Sequence, residues 1–212
     1  MKKPRILIAD DHRMVAEGLR VLLEPDYHLV GIVEDGRALL EAADRLMPDV
    51  VVADVSMPLL NGIEAVRQLK KKNKGIAVVF LTMHLDVAYA ASAFEAGASG
   101  YVLKHSAPSE LLTAISNALK GRTYITPLLA GDLLNYQRNR PKGGKEDGLS
   151  SLTSRQREVL QLIAEGLSVK ESATILGIST RTVEFHKYSI MESLGLKSSA
   201  ELMRFAVEHG IK

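Results

Sequence analysis

Asp10, Asp11, Asp54, Thr82 and Lys104 are residue types that could do chemistry together: three carboxylates, a hydroxyl and an ammonium. Each closes or follows a short apolar run. Arg5 to Ala9 leads into Asp10-Asp11, Asp49 to Ala53 into Asp54, Ile76 to Leu81 into Thr82, and Gly100 to Leu103 into Lys104. If these runs are parallel strands of one sheet, their carboxyl ends meet at a single edge, where open α/β sheets place their sites. Carboxylates crowded together repel one another and cost stability. A hard cation resolves the conflict. Mg2+ takes oxygen ligands and keeps several waters, which suits two or three carboxylates and a main-chain carbonyl from the 54–58 loop, whereas the D-x-[DN]-x-[DN]-G loop that holds calcium is absent. The chemistry such a site supports is phosphoryl transfer to a carboxylate. Asp54, on the middle strand, is the nucleophile that would become an acyl phosphate, with metal and lysine offsetting charge on the transferring group. Thr82 is placed to hydrogen-bond one phosphoryl oxygen, and Lys104, at an exposed sheet edge, to pair with another. The plainer reading of Asp54 alone is a solvated strand-end aspartate capping a turn.

Those residues must be positioned by the elements between them. Met14 to Leu23 spaces its apolar residues as a helix does, as does Gly36 to Leu46 through Leu39, Leu40, Ala43 and Leu46. His28 to Val33 reads as a further strand; Ile63 to about Lys72, Val87 to Ala96 and Pro108 to Leu119 read as further helices. Pro108 lies just inside its helix, where its missing N–H costs nothing. Five strands alternating with five helices predict a parallel sheet covered on both faces. The unbroken apolar runs at 49–53 and 76–81 agree, because a sheet wet on one face would alternate. Lys70 to Lys72 and Lys74 read as a solvated cluster complementing a helix dipole, with a partner surface as the other reading.

The 212 residues suffice for one large domain or two small ones, and 46% hydrophobic with 25% charged residues is ordinary for a globular protein. There is no cysteine, which excludes disulfides and thiolate catalysis. The start, M-K-K-P-R-I-L-I-A-D-D, has too short an apolar segment for a signal peptide. No apolar run approaches the roughly 18 residues of a membrane span, so the expected location is the cytoplasm, with no membrane partner. The formal charge of +2 is uneven, with an acidic excess over residues 1–119 and a basic excess after them. That gradient permits nucleic-acid binding by the second half without requiring it.

Asp10-Asp11, Asp54 with Met57-Pro58 and Gly62, Thr82 and Lys104 resemble the receiver domain of two-component response regulators. The resemblance implies a flavodoxin-like, doubly wound five-stranded parallel sheet of order 2-1-3-4-5, with Asp54 phosphorylated by a sensor histidine kinase. It also implies Mg2+ held by Asp11, Asp54 and the Ser56 backbone carbonyl with help from Asp10, and a Thr82 movement coupled to Tyr101. Tyr101 as a partly buried strand aromatic is compatible with that switch. His105 stands where many receivers have a proline after the lysine, so the turn there could differ. A phosphatase of the haloacid-dehalogenase type would also use an aspartate after a strand. It needs a second aspartate two residues on, where this chain has Ser56, which argues for a switch and against a turnover enzyme.

Gly121 to Gly148 changes character: one short helix over Ile125 to Tyr136, then the polar stretch R-N-R-P-K-G-G-K-E-D-G, read as a linker. The expected domains are 1–121, a linker at 122–148, and 149–212. The last part is helical throughout. T-S-R-Q from Thr153 and S-V-K-E from Ser168 are capping boxes, Gly166, Gly177 and Gly195 are stops, and Ser198 to Glu201 opens a fourth helix. The short L-G-I-S join is a helix-turn-helix signature, although a small four-helix adaptor or dimerisation bundle fits the same pattern.

L-T-S-R-Q-R-E-V-L-Q-L-I-A-E-G-L-S-V-K-E-S-A through I-S-T-R-T-V-E-F-H-K resembles the LuxR-type DNA-binding domain. With the receiver, this marks a chain similar to the NarL/FixJ family. The resemblance implies a phosphorylation-dependent transcription regulator, not an enzyme, that binds double-stranded DNA as a homodimer and works with RNA polymerase. Its third helix would enter the major groove, with Thr180, Arg181, Thr182, Glu184, His186 and Lys187 as DNA-contacting positions and Lys170 near the backbone, while Val183 and Ile190 face the core. Glu184 stands where many relatives have lysine; it cannot neutralise phosphate but can accept from a cytosine amine. An interaction protein whose receiver is never phosphorylated is the rival reading.

Overall fold

The computed structural model describes residues 3–139, 148–149, 151–209 and 211. Its first compact unit is built on a parallel sheet, and its second holds the C-terminal helices. The sheet comprises β1 (Arg5–Ala9), β2 (His28–Val33), β3 (Val50–Ala53), β4 (Ala77–Thr82), β5 (Gly100–Leu103) and β6 (Tyr124–Ile125) in the order β2-β1-β3-β4-β5-β6. Every pairing is parallel. The intervening helices are α1 (Arg13–Leu23), α2 (Gly36–Leu46), α3 (Gly62–Lys72), α4 (Val87–Glu95) and α5 (Pro108–Leu119).

Sequence dictates the layering. β3 and β4 are buried along their whole length, as unbroken apolar strands between two helical layers must be. On one face Ile6, Ile8, Val50, Val52, Val79 and Leu81 pack with Ala16, Leu19 and Leu23 of α1 and Leu111, Ala114 and Ile115 of α5. α2, α3 and α4 start from side-chain caps at Asp35, Asn61 and Asp86, each accepting amide hydrogens of the first turn.

One segment departs from expectation. The short helix expected within the linker forms as α6 (Pro127–Asn139), but a sixth strand, β6, precedes it, and both belong to the sheet unit. The Thr126 amide donates to the Tyr101 carbonyl at 3.0 Å, and the Thr126 hydroxyl accepts from the Leu103 amide at 3.2 Å. A side chain thus continues the ladder where the strand ends, and Leu129 and Leu133 of α6 are buried. Two residues of strand carry too little pattern to be recognised by alternation. The expected polar linker at 140–147 lies outside the described residues.

The second unit contains α7 (Ser154–Ala164), α8 (Val169–Leu176), α9 (Thr180–Leu194) and α10 (Ser199–Glu208). Both capping boxes form: Thr153 with Gln156, and Ser168 with Glu171. Hydrogen bonds from Ser168 hold the Glu171 carboxyl below its usual range. Gly177 ends α8 in the left-handed region (φ 63°), the conformation that glycine adopts at least cost. Val159, Leu160, Leu162, Val183, Ile190, Leu202 and Ala206 form the core. Arg155 of α7 donates to the terminal Leu176 carbonyl of α8 at 2.8 Å, and Gln156 donates to Ser189 of α9 at 3.0 Å. These bonds fix how α9 is presented.

Candidate functional site

The carboxyl ends of β1, β3, β4 and β5 bring Asp10, Asp54, Thr82 and Lys104 together. The Lys104 ammonium donates to Asp10 Oδ2 and Asp54 Oδ2, each at 2.7 Å. Asp54 Oδ1 accepts from the Val55 amide at 2.6 Å and the Ser56 amide at 3.4 Å. Asp10 and Asp54 are buried, and the Lys104 side chain is only 9% exposed, so the expectation of an exposed lysine is corrected. The strand end does reach the sheet edge, but the long stem folds inward because two buried carboxylates need a counter-charge. Burial pulls the Lys104 ammonium down, yet its bonds to Asp10 and Asp54 outweigh that and hold it above the ordinary lysine value.

Asp11 lies at the rim, its Oδ1 2.8 Å from His12 Nδ1. Metal-ligating atoms of Asp10, Asp11, His12 and Asp54 all lie within 4.8 Å of one another. Their oxygen-rich donor set fits Mg2+, and His12 is a neighbour that the carboxylate pattern alone does not single out. Gly62 secures the loop after β3: its amide donates to the Val55 carbonyl at 2.8 Å, and a Cβ there would collide with the Asp54 carbonyl oxygen.

Thr82 and Tyr101 converge on His84. The Thr82 hydroxyl accepts from the His84 amide at 3.3 Å, and the Tyr101 hydroxyl donates to the His84 carbonyl at 3.0 Å. Tyr101 is fully buried, beyond the partial burial that sequence suggests. Burial above all pushes its phenol well above the ordinary value, so it stays a donor. The His84 ring stacks on Tyr89 at 4.2 Å, and its Nε2 is 2.7 Å from Ser56 Oγ. No peptide bond among the described residues is cis, the one before His105 included.

On α9, Val183 and Ile190 are fully buried, as expected of the inward face. Thr180, Arg181 and Glu184 are exposed, as is Lys170 on α8, whereas Thr182, His186 and Lys187 are half-buried on the flanks. The Thr182 hydroxyl is engaged with the capping Ser179 at 2.8 Å. Among the described residues, the side chains of Lys170, Arg181, Glu184 and Lys187 enter no ion pair. Sequence reasoning passed over Phe185 and Tyr188, each 68% exposed on the outer face. Plotting the helix about Val183 and Ile190 would have found them.

The comparisons with known proteins agree with this geometry. Residues 6–116 match the response regulator receiver domain, and residues 150–206 match the bacterial regulatory proteins of the luxR family. The transcriptional regulatory protein MctR of Rhizobium johnstonii is 35% identical over 214 residues, covering 99% of this chain and 95% of its own. A LuxR-family two-component response regulator from Aurantimonas superposes with a TM-score of 0.62 at 38% identity, covering 65% of this chain and 99% of that one. RcsB from Salmonella enterica serovar Typhimurium, solved bound to a promoter with the phosphomimetic BeF3−, gives a TM-score of 0.60 at 29% identity, over 96% of this chain and 98% of that one. The chain belongs to the two-component response regulators that join a receiver to a LuxR-type helix-turn-helix domain, the NarL/FixJ family. It is a phosphorylation-dependent, DNA-binding transcription regulator and not a turnover enzyme, and its acidic cluster fits the Mg2+ that a receiver binds. No helix among the described residues is long and apolar enough to cross a membrane.

Proposed function

We propose that Asp54 is the phosphoacceptor, that Asp10, Asp11, Asp54 and the Ser56 backbone carbonyl hold the Mg2+, and that a sensor histidine kinase in the cytoplasm is the donor. When bound, the metal offsets charge on the transferring group. An Asp54 carboxylate oxygen bonds to phosphorus as the bond from phosphorus to the donor's imidazole nitrogen breaks, and that nitrogen keeps the electron pair. The double hydrogen bond of Lys104 to Asp10 and Asp54 carries this reading, because it holds a cation beside the acceptor before any phosphoryl group arrives. A protein donor is supported by the rim. Beside Lys104, Met14, Gly18, Leu22, Ala107 and Pro108 line an apolar cavity of about 310 Å³, and Met14 and Val21 stand exposed on α1.

Thr82, Tyr101 and Lys104 form the switch. A phosphoryl oxygen that captures the Thr82 hydroxyl loosens its bond from the His84 amide, while Tyr101 holds the carbonyl of the same residue. The loop entering α4 is thereby biased between two arrangements. Residues 1–121, with β6 and α6 docked on them, then act as receiver, the rest of 122–148 as connection and 149–212 as DNA-binding head. Two phosphorylated chains pair so that α9 of each enters successive major grooves of a two-fold site, where RNA polymerase is recruited or blocked. Thr180, Arg181, Thr182, Glu184, His186 and Lys187, with Lys170, make up the DNA face. Promoter-bound RcsB supports that reading.

The test is incubation with Mg2+ and acetyl phosphate, read by intact mass. Wild type gains one phosphoryl group and Asp54→Ala gains none. An adduct retained by Asp54→Ala would overturn the acceptor assignment.

A further inference from the structure

The inward face of α9 is filled by Val183 and Ile190, both fully buried. At 3.6 residues per turn, Arg181, Phe185, Tyr188 and Glu192 fall on the opposite side. Phe185 and Tyr188, one turn apart, are each 68% exposed. Single exposed apolar residues need no explanation, but an aromatic pair rising from one helix face marks a surface made for a partner.

The charges beside it say which partner. Arg155 and Arg157 on α7 spend their guanidinium groups on Glu158 and on backbone carbonyls, and Arg204 on α10 approaches Glu208. Among the described residues Arg181, Lys187 and Lys170 make no such bond. With Arg181 uncommitted on the same face and Lys187 on its flank, and with Glu184 and Glu192 also there, the ridge fits a partner that offers phosphates, base-edge donors and an apolar spot between them. A helix 10–12 Å across matches the roughly 12 Å width of the DNA major groove. In that groove the only apolar group on a base edge is the C5-methyl of thymine. Phe185 has no hydrogen-bonding group, so that methyl is its one means of telling bases apart.

We propose that Phe185 is a sequence-reading residue whose ring packs against the C5-methyl group of a thymine. Tyr188, one turn further from the helix start, extends the apolar edge and turns its hydroxyl to the DNA backbone, where tyrosine hydroxyls bind without sequence preference. The division follows from position, because the N-terminal part of a recognition helix lies nearest the bases. The proposal rests on α9 being that helix.

The test uses the full chain phosphorylated with Mg2+ and acetyl phosphate. Bound duplexes are selected from a random library, and the selected duplex is remade with deoxyuridine in place of each thymine in turn, which removes only the methyl group. At one position in each half-site, uracil should weaken wild-type binding about threefold to fourfold, the worth of one buried methyl group. Phe185→Ala should bind the thymine and uracil duplexes equally, and Tyr188→Phe should keep the wild-type uracil penalty. The proposal is overturned if the selected half-site holds no thymine, if wild type tolerates uracil everywhere, or if Phe185→Ala retains the penalty. The last is also the outcome if the aromatic pair serves a protein partner. A chain that retains no duplex even at low salt would instead fail the reading of α9 as a DNA-binding helix, and the proposal with it.

Discussion

At the carboxyl edge of the sheet the buried charges are already matched inside the protein: Lys104 holds Asp10 and Asp54, and the backbone amides of Val55 and Ser56 cover the other Asp54 oxygen. On α9 the exposed Arg181 and Glu184 and the half-buried Lys187 have no ion pair among the described residues, and two aromatics stand in water on the outer face. In the proposed function both places meet phosphate. The first meets one small, doubly charged group, so its donors are fixed beforehand in a dry site where each is worth more. The second meets a long polyanion whose affinity comes from displaced counterions, so its cations are kept exposed and uncommitted. Internal pairing is thus the mark of the switch, and its absence the mark of the reading surface.

The hardest way to break that contrast is to remove Lys104. Stranding two buried carboxylates should destabilise the metal-free receiver by about 3–5 kcal/mol, measured by urea unfolding, and added Mg2+ should recover part of the loss. Because the bonds to Asp10 and Asp54 outweigh burial, the folded pKa of Lys104 lies above its unfolded value. Its contribution is therefore fully present below the ordinary lysine value of about 10.4 and is lost only as pH rises through the higher folded one. The gap between wild type and Lys104→Met should accordingly stay constant from pH 6 to pH 10. Equal stability of the two proteins would show that the edge is not internally balanced.

What sequence made legible divides along the same line. Strand ends are marked by an apolar run followed by a polar residue, so sequence alone places Asp10, Asp54, Thr82 and Lys104 at one edge. Helix starts are marked by caps, so Thr153, Ser168, Ser179 and Ser198 were found where they act. Direction of a long side chain carries no such mark. Lys104 was expected to be exposed because its backbone sits at an edge, and only the two carboxylates facing it explain its burial. The helix α6 is legible, but the two-residue strand β6 before it carries too little pattern, and docking on the sheet depends on Thr126 reaching Tyr101 and Leu103, which are far away in sequence. Phe185 and Tyr188 carry no charge and break no helical pattern, so only their rotation about the helix, opposite Val183 and Ile190, marks them as outward.

Glu184 sharpens the comparison from the other side, as an anion on a surface meant for anions. It is exposed and, among the described residues, makes no ion pair, with Lys187 one turn away included. A carboxylate that approaches DNA without neutralising anything must gain from a base, and a cytosine amine is the donor that the major groove offers. Glu184→Ala should then relax preference at one base-pair position by roughly 1–3 kcal/mol per half-site. Duplexes selected by wild type and by Glu184→Ala from the same random library check this, and identical preferences would leave Glu184 as surface only.

The smallest effect is expected at Lys187, and it isolates the physics that separates the two regions. Lys187 lies half-buried on the flank of α9, and among the described residues its ammonium enters no ion pair. If it meets one phosphate, Lys187→Ala removes one counterion-releasing contact from each bound head. The slope of log affinity against log salt should then fall by about 0.9 per head, with the order of preferred sequences unchanged. Binding should weaken alike on specific and random duplexes, by an amount that shrinks as salt rises. The Lys104 pair, buried and close, should show almost no salt dependence in the unfolding experiment, because screening acts little inside the protein. A Lys187→Ala variant that keeps the wild-type slope but loses one base preference would mean that this lysine reads sequence, and that attraction on α9 is carried by Arg181 and Lys170 alone.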